Sequence, residues 1–149
     1  MADEIWALLG TSIHTILEMA KGPVNALTTQ ENLQRTIVEK RFYTRINGWL
    51  VSGQIDSFIL ESAKLVDFKV TSIFHVKETP PEYVEQLNCY AYLATMEGKV
   101  VKKLSVVAIL RYWSVRQSSY DKAYPQSQVV VLPIPLWSLE DQKAFIERR

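Results

Sequence analysis

The segment LVDFKV, residues 65–70, places two charged side chains inside an otherwise apolar run. Apolar, β-branched and aromatic residues favour a β-strand, and side chains alternate between the two faces of a strand. Asp67 and Lys69 therefore point to one face, and the apolar residues between and around them can fill a core on the other. The segment predicts a strand that carries a carboxylate and an ammonium group side by side.

The segment just before it adds a second carboxylate. Gly53-Gln54-Ile55-Asp56 lies on a predicted strand that turns at Glu61-Ser62-Ala63 into the strand of Asp67 and Lys69. Asp56 should therefore lie next to Asp67. Mg²⁺ and Mn²⁺ prefer hard carboxylate oxygens, and a nearby lysine can orient a water or accept its proton. Taken alone, the same three residues also fit ordinary solvated charge on a strand.

The rest of the chain predicts an α/β fold. Asn47-Gly48 is typical of a type I′ hairpin turn, Thr79-Pro80-Pro81-Glu82 is typical of a helix start, and Gly98 suits a helix end. Ser138 is a further candidate helix cap. The predicted elements are a helix over residues 3–21, strands over 36–46, 49–60 and 64–71, a helix from 79 to about 97, strands over 100–113 and 129–135, and a helix after 138. The order αβββαββα predicts a mixed central sheet with helices packed on it, the last strand at an edge because of its prolines.

Composition bounds the possibilities further. The 149 residues suit one domain, residues 1–149. The single cysteine, Cys89, excludes an internal disulfide and an iron–sulfur cluster held by this chain. No run is apolar enough for a membrane span, and no secretory leader is recognisable, so we expect a cytoplasmic protein. Residues 99–149 hold 9 Lys and Arg against 4 Asp and Glu, which could meet phosphates or be ordinary surface charge.

Gly53-x-x-Asp56 followed by Asp67-x-Lys69 resembles the core motif of the PD-(D/E)XK nucleases, with Ile55 where that motif nominally has proline. Other segments resemble motifs of the RecB-like branch of these nucleases, which includes phage exonucleases. The segment GTSIH, residues 10–14, resembles the histidine motif of that branch. Glu39 matches an acidic position, and Gln86-x-x-x-Tyr90 resembles the Q-x-x-x-Y motif, whose two side chains share one helix face.

The resemblance implies a restriction-endonuclease-like core and metal-dependent hydrolysis of DNA. His14, Asp56, Asp67 and the main-chain carbonyl of Phe68 would hold one or two Mg²⁺ or Mn²⁺ ions, and Lys69 would position or deprotonate the attacking water. Glu39 would belong to the catalytic site. Gln86 and Tyr90 would support the substrate. No phosphate-binding loop of the G-x-x-x-x-G-K-[ST] type is present, so no nucleotide cofactor is expected.

The resemblance favours an exonuclease that processes DNA ends, on single strands or end-containing duplexes, in recombination, repair or phage DNA metabolism. It would act in the cytoplasm of a bacterial or phage-infected cell, with a homo-oligomer or a helicase or recombination partner as possible assemblies. The alternatives are a non-catalytic or partner-dependent DNA-binding subunit and a structure-specific endonuclease. His75 matches no motif and is interpreted as a surface or loop residue, and Lys102-Lys103 as a solvated strand entry.

Overall fold

The computed structural model describes residues 36–149, except for the side chains of Thr36, Val38 and Glu39. His14 and the first predicted helix lie outside the described residues. The described elements, in chain order, are β1 (Thr36–Ile46), β2 (Trp49–Ile59), β3 (Lys64–Thr71), α1 (Phe74–Lys77), α2 (Pro81–Met96), β4 (Lys103–Leu110), α3 (Val115–Tyr120), β5 (Val129–Ile134) and α4 (Leu139–Glu147).

The five strands form one mixed sheet in the order β1-β2-β3-β4-β5. The pairs β1–β2, β2–β3 and β4–β5 are antiparallel, and β3–β4 is parallel. A parallel neighbour requires a crossover connection, and here α1 and α2 supply it. The predicted mixed α/β sheet is therefore confirmed. In this sheet β5, with Pro133, lies at an edge, where a missing N–H interrupts no ladder.

Local backbone chemistry explains the tight turns. Asn47 and Gly48 have φ of 51° and 82°, as a type I′ hairpin requires at both central positions. Gly98 follows α2 with φ of 84°, the left-handed conformation that commonly ends a helix. The predicted capping box at Thr79 is wrong. The N-cap residue of α2 is Pro80, with no side-chain cap, and proline in the first turn helps define the start instead.

Two segments differ from the prediction. The fourth strand is shorter than the predicted 100–113. The polar stretch after it, predicted as loop, contains α3, which Ser114 caps by accepting from the Gln117 N–H. Trp113 Nε1 donates to the Pro125 carbonyl at 2.8 Å. The cap at Ser114 is a local one that the sequence interpretation missed, whereas the bond from Trp113 spans twelve positions and no local pattern indicates it.

The core lies between the sheet and α2. Fourteen buried apolar residues of α2 and β1–β5 form this cluster, with Phe42, Ile55, Leu65 and Leu87 fully excluded from solvent. The last helix, α4, packs on α2. Helix α2 covers the face of β3 that carries Leu65 and, further along, Asp67 and Lys69. The described core thus lies on the face of the two charges, whereas the sequence predicted it on the opposite face. Over residues 36–149, no helix is long and apolar enough to cross a membrane.

Candidate functional site

The site begins where β2 and β3 separate. Their ladder covers three residue pairs and ends at Ser57 and Val66, one residue short of the two aspartates. Beyond that point the side chain of Asp56 connects the two strands, because its Oδ2 accepts from the backbone N–H of Phe68 at 2.8 Å. A carboxylate thus replaces a backbone acceptor, which fixes Asp56 beside β3 while leaving room between the strands.

Asp67 is the second buried carboxylate, with 4% of its surface exposed against 5% for Asp56. Its Oδ2 lies 3.0 Å from Lys69 Nζ, yet this oxygen is enclosed without a hydrogen bond of acceptable geometry. A buried carboxylate oxygen that lacks a hydrogen bond loses much of its solvation energy. The contact with Lys69 is therefore an electrostatic one, and Asp67 retains an oxygen suited to a further cation.

Lys69 is held by neighbours from α2. Its Nζ donates to Gln86 Oε1 at 2.8 Å and lies 5.6 Å from the centre of the Tyr83 ring. About a quarter of the side chain remains exposed, 26% by area. An ammonium group with a hydrogen bond, a carboxylate and an aromatic face around it keeps one position. The group is thus fixed at the edge of the two carboxylates but still open to solvent.

Gln86 bonds to both Lys69 and Tyr90, and so connects the two residues. Because an ammonium group only donates, the amide oxygen of Gln86 must face Lys69, and its Nε2 donates to Tyr90 Oη at 2.8 Å. The Tyr90 hydroxyl accepts that bond, so its own hydrogen stays available for another acceptor. Burial raises the pKa of the Tyr90 phenol, the Gln86 hydrogen bond opposes this, and the charge on Asp67 adds to the increase. Tyr90 therefore stays protonated as a donor at neutral pH.

The glycine of the Gly53-x-x-Asp56 segment has a packing role. A Cβ at Gly53 would lie 2.8 Å from Cε1 of Tyr90 and 2.9 Å from Cδ1 of Leu93, closer than carbon atoms can approach. Only glycine lets the Tyr90 ring lie against β2. The first strand motif and the helix motif are thus in direct contact.

Three residues that the sequence interpretation missed extend the cluster. Tyr83 Oη donates to Thr71 Oγ1 at 3.0 Å, and Thr71 also bonds with His75 Nδ1. The interpretation of His75 as a surface or loop residue is wrong: it lies in α1, half-buried, with its ring edge-on to Tyr83 at 6.0 Å. If Tyr83 donates, Thr71 has its own hydrogen for His75. The weak clue in the sequence was Thr71, on the same strand face as Lys69.

The structure brings together five of the predicted site residues: Asp56, Asp67, Lys69, Gln86 and Tyr90. Phe68 takes part through its N–H, which donates to Asp56, and its carbonyl remains a predicted metal ligand. Glu39 lies in β1, but its side chain is among those not described, and His14 falls outside the described residues. Within residues 36–149, no group of three or more His, Cys, Asp or Glu side chains gathers.

The chemistry open to this arrangement follows from its charges. Among the described residues, the carboxylates of Asp56 and Asp67 are both buried, and the Lys69 ammonium group lies 3.0 Å from Asp67. Mg²⁺ is commonly bound by one or two carboxylates together with waters and a substrate phosphate. The donor set of Asp56 and the unbonded Asp67 oxygen fits such a hard divalent cation.

Comparison with known proteins identifies the fold but no sequence family. No family model and no curated protein sequence matches this chain. Among solved structures, the chain is similar to a putative exonuclease from Eubacterium rectale, with a TM-score of 0.58 and 15% identity over 96% of this chain and 64% of that one. It is also similar to SSO0001, with a TM-score of 0.56 and 18% identity over 95% of this chain and 57% of that one. The chain thus spans about three fifths of the length of these two structures.

Proposed function

We propose that the protein is a metal-dependent nuclease that hydrolyses phosphodiester bonds in DNA. The observation that carries this proposal is the buried Asp67 oxygen without a hydrogen bond, next to Asp56 and 3.0 Å from Lys69 Nζ. The PD-(D/E)XK resemblance of the same residues supports it. The similarity to an exonuclease-like structure from Eubacterium rectale further favours action at DNA ends.

The ion-binding residues in this proposal are Asp56, Asp67, the carbonyl of Phe68 and His14. When one or two Mg²⁺ or Mn²⁺ ions are bound, they supply the Lewis acidity that polarises a phosphodiester and lowers the pKa of a bound water. The two aspartates are already desolvated and fixed by the fold. Cation binding therefore stabilises them, because it replaces the hydration that the buried carboxylates lack.

Lys69 is the proposed catalytic lysine. Its hydrogen bond to Gln86 uses one of its three N–H donors, so the ammonium group can also donate to a water or a phosphate oxygen. That donor can orient the attacking water, and the ammonium charge stabilises the negative charge that develops on phosphorus-bound oxygens. Tyr90 adds a second donor, because the bond from Gln86 leaves its O–H free to bond a phosphate oxygen.

The test of the enzyme proposal is degradation of end-labelled linear DNA and closed circular DNA with Mg²⁺, Mn²⁺ or EDTA. We expect metal-dependent loss of linear DNA, and a fall of roughly 10²-fold or more for Lys69→Ala, the scale of losing a general acid–base group. Lys77→Ala, an exposed lysine on α1, is the matched control and should cleave like the wild type. Cleavage of circles would instead indicate an endonuclease.

A lack of cleavage with either metal would contradict the proposal for the isolated chain. In that case, addition of a helicase or recombination partner would show whether activity needs a complex. Retained DNA binding without cleavage in any complex would indicate a binding subunit that keeps the nuclease fold.

The metal site has its own test. Mn²⁺ should raise the thermal unfolding temperature of the wild type, because an ion that binds only the folded state adds about 2.7 kcal/mol at a hundredfold excess over its Kd. Asp67→Asn should abolish this increase and cleavage together. The control Asp121→Asn, on the loop after α3, should keep both. An unchanged Mn²⁺ response in Asp67→Asn would exclude Asp67 as a ligand.

A further inference from the structure

A basic pocket opens at the end of the sheet where β3 and β4 begin and β5 ends. It has a volume of about 290 Å³, and Lys64, Lys102 and Lys103 line it together with apolar residues of β4 and β5. None of its lining residues is acidic. Lys64 lies three residues before Asp67, about 10 Å along the strand, with its side chain on the opposite face. The pocket is thus separate from the proposed catalytic centre.

The strand register brings two of these charges together. Lys64 and Lys103 are direct partners across the parallel β3–β4 pair, and Lys102 precedes Lys103. Like charges directly opposite each other on neighbouring strands destabilise a sheet. Over residues 36–149, no carboxylate forms an ion pair with any of these three lysines. The described part of the chain therefore gathers positive charge here without an ion pair to balance it.

The turn that precedes β3 holds this cluster in place. The Ala63 carbonyl accepts from the N–H groups of both Lys102 and Lys103, at 2.8 and 3.2 Å. Ala63 itself has φ of 52°, a conformation that L-residues seldom adopt. Two backbone bonds to one carbonyl fix the start of β4 against the turn. The lysines thus project from anchored backbone.

The wall of the pocket contains a polar group that lacks a partner. Ser105 is 3% exposed, and its hydroxyl makes no hydrogen bond. It lies on the same face of β4 as Lys103, two residues along, and its partner on β5 is Pro133, whose side chain has no polar group. A buried hydroxyl without a bond is destabilising by about 1–3 kcal/mol. An anion with several oxygens would accept a hydrogen bond from this hydroxyl and balance the positive charge of the lysines.

We propose that this pocket is a second anion site, which binds a phosphate group through the ammonium groups of Lys64, Lys102 and Lys103 and the hydroxyl of Ser105. The phosphate can belong to a nucleic-acid backbone outside the cleavage centre or be a free phosphate. Binding needs no cleavage and no divalent metal, so it is tested separately from the proposed nuclease activity.

The first measurement uses inorganic phosphate as the probe. Thermal unfolding of the wild type is followed in EDTA as phosphate replaces chloride at constant ionic strength. We expect phosphate to raise the unfolding temperature of the wild type, and to raise it much less in Lys64→Gln/Lys103→Gln. Ser105→Ala is the more specific variant. Without phosphate it should be as stable as the wild type or more so, because it lacks the unbonded hydroxyl, yet its response to phosphate should be smaller.

The second measurement uses a short fluorescent single-stranded oligonucleotide in EDTA and identifies the source of the phosphate. If the ligand is a nucleic-acid backbone, the double lysine variant should bind roughly tenfold more weakly. Its slope of log affinity against log salt should also become shallower, by about 0.7 for each phosphate group that the variant no longer binds. Lys122→Gln, an exposed lysine far along the chain, is the control. Unchanged oligonucleotide binding together with an abolished response to phosphate would indicate a free phosphate ligand.

One pattern of results would overturn the proposal. If Ser105→Ala and the double lysine variant respond to phosphate and to the oligonucleotide as the wild type does, the pocket binds no phosphate. This result would be independent of cleavage, because both measurements are made without metal. Conversely, if the wild type does not cleave DNA but its response to phosphate is lost in these variants, the anion site stands although the isolated chain is not an active nuclease.

Discussion

Gly53 illustrates how one atom decides the geometry of the site. With hydrogen instead of Cβ, β2 can approach the Tyr90 ring, and that ring carries the hydroxyl that Gln86 bonds. Gln86 in turn accepts a hydrogen bond from Lys69, so this approach connects β2 with the lysine of β3 through α2. The glycine is therefore as important for positioning as the charged residues, although it takes no part in the chemistry.

We predict that Gly53→Ala displaces Tyr90 and lowers the free energy of unfolding by about 1–3 kcal/mol, the usual range for an overpacked contact. Urea unfolding measures the loss, and the cleavage assay should show a parallel fall in activity. Ser52→Ala, at the exposed neighbouring position, is the control and should have little effect on either. A Gly53→Ala protein of wild-type stability and activity would show that the Tyr90 ring moves aside freely.

At the scale of elements, α1 and α2 are connected to the end of β3 by one threonine. Thr71 bonds with both Tyr83 and His75, and the Tyr83 ring lies next to Lys69. The hydrogen bond and the ring of Tyr83 thus have separate roles. The first holds the helices to the strand, and the second helps to fix the ammonium group.

These roles predict different effects for three variants. Thr71→Val should lower the free energy of unfolding by about 1–2 kcal/mol and Tyr83→Phe by less, since one removes two hydrogen bonds and the other removes one. Both keep the ring and should retain most activity. Tyr83→Leu removes the ring, and we expect a further fall in kcat of about threefold or more. The free energy of unfolding and kcat, measured for all three variants, test these separate roles. Equal kcat values for Tyr83→Phe and Tyr83→Leu would exclude a role for the ring.

At the scale of the whole molecule, Asn88 joins α2 to the C-terminal segment. It is fully buried, and its amide donates to the Pro135 carbonyl at 2.9 Å and accepts from the Trp137 N–H at 2.8 Å. Gln142 of α4 also donates to the amide oxygen of Asn88, at 3.2 Å. The Asn88 side chain thereby hydrogen-bonds to backbone groups of the segment that follows β5. These bonds hold that segment against α2.

We predict that Asn88→Leu costs about 3 kcal/mol or more, because it keeps the volume but leaves several buried polar groups without partners. Glu85→Gln is the control on the same helix. Its ion pair with Arg149 is exposed and 3.5 Å long, and such pairs contribute about 1 kcal/mol or less. Chemical denaturation of both variants measures the difference. A small effect of Asn88→Leu would mean that water reaches the freed groups.

The sequence by itself determined most of the strands and placed the two carboxylates and the ammonium group on β2 and β3. Alternation fixed the common face of Asp67 and Lys69, and the turn residues fixed the hairpin at Asn47. The prolines at 80 and 81 and Gly98 indicated the two ends of α2. These features depend on neighbours a few positions apart, so local sterics and periodicity suffice. The i, i+4 spacing of Gln86 and Tyr90 on one helix face is of the same kind.

Only the tertiary structure decided which of these residues meet. It brought Gln86 to Lys69, Tyr90 to Gly53 and His75 into the polar cluster, and it placed Lys64 opposite Lys103. Each of these contacts joins different elements, or depends on a register or a helix that no local pattern predicts. The physical reason is that such contacts depend on packing and on the satisfaction of buried polar groups, and both are properties of the whole fold.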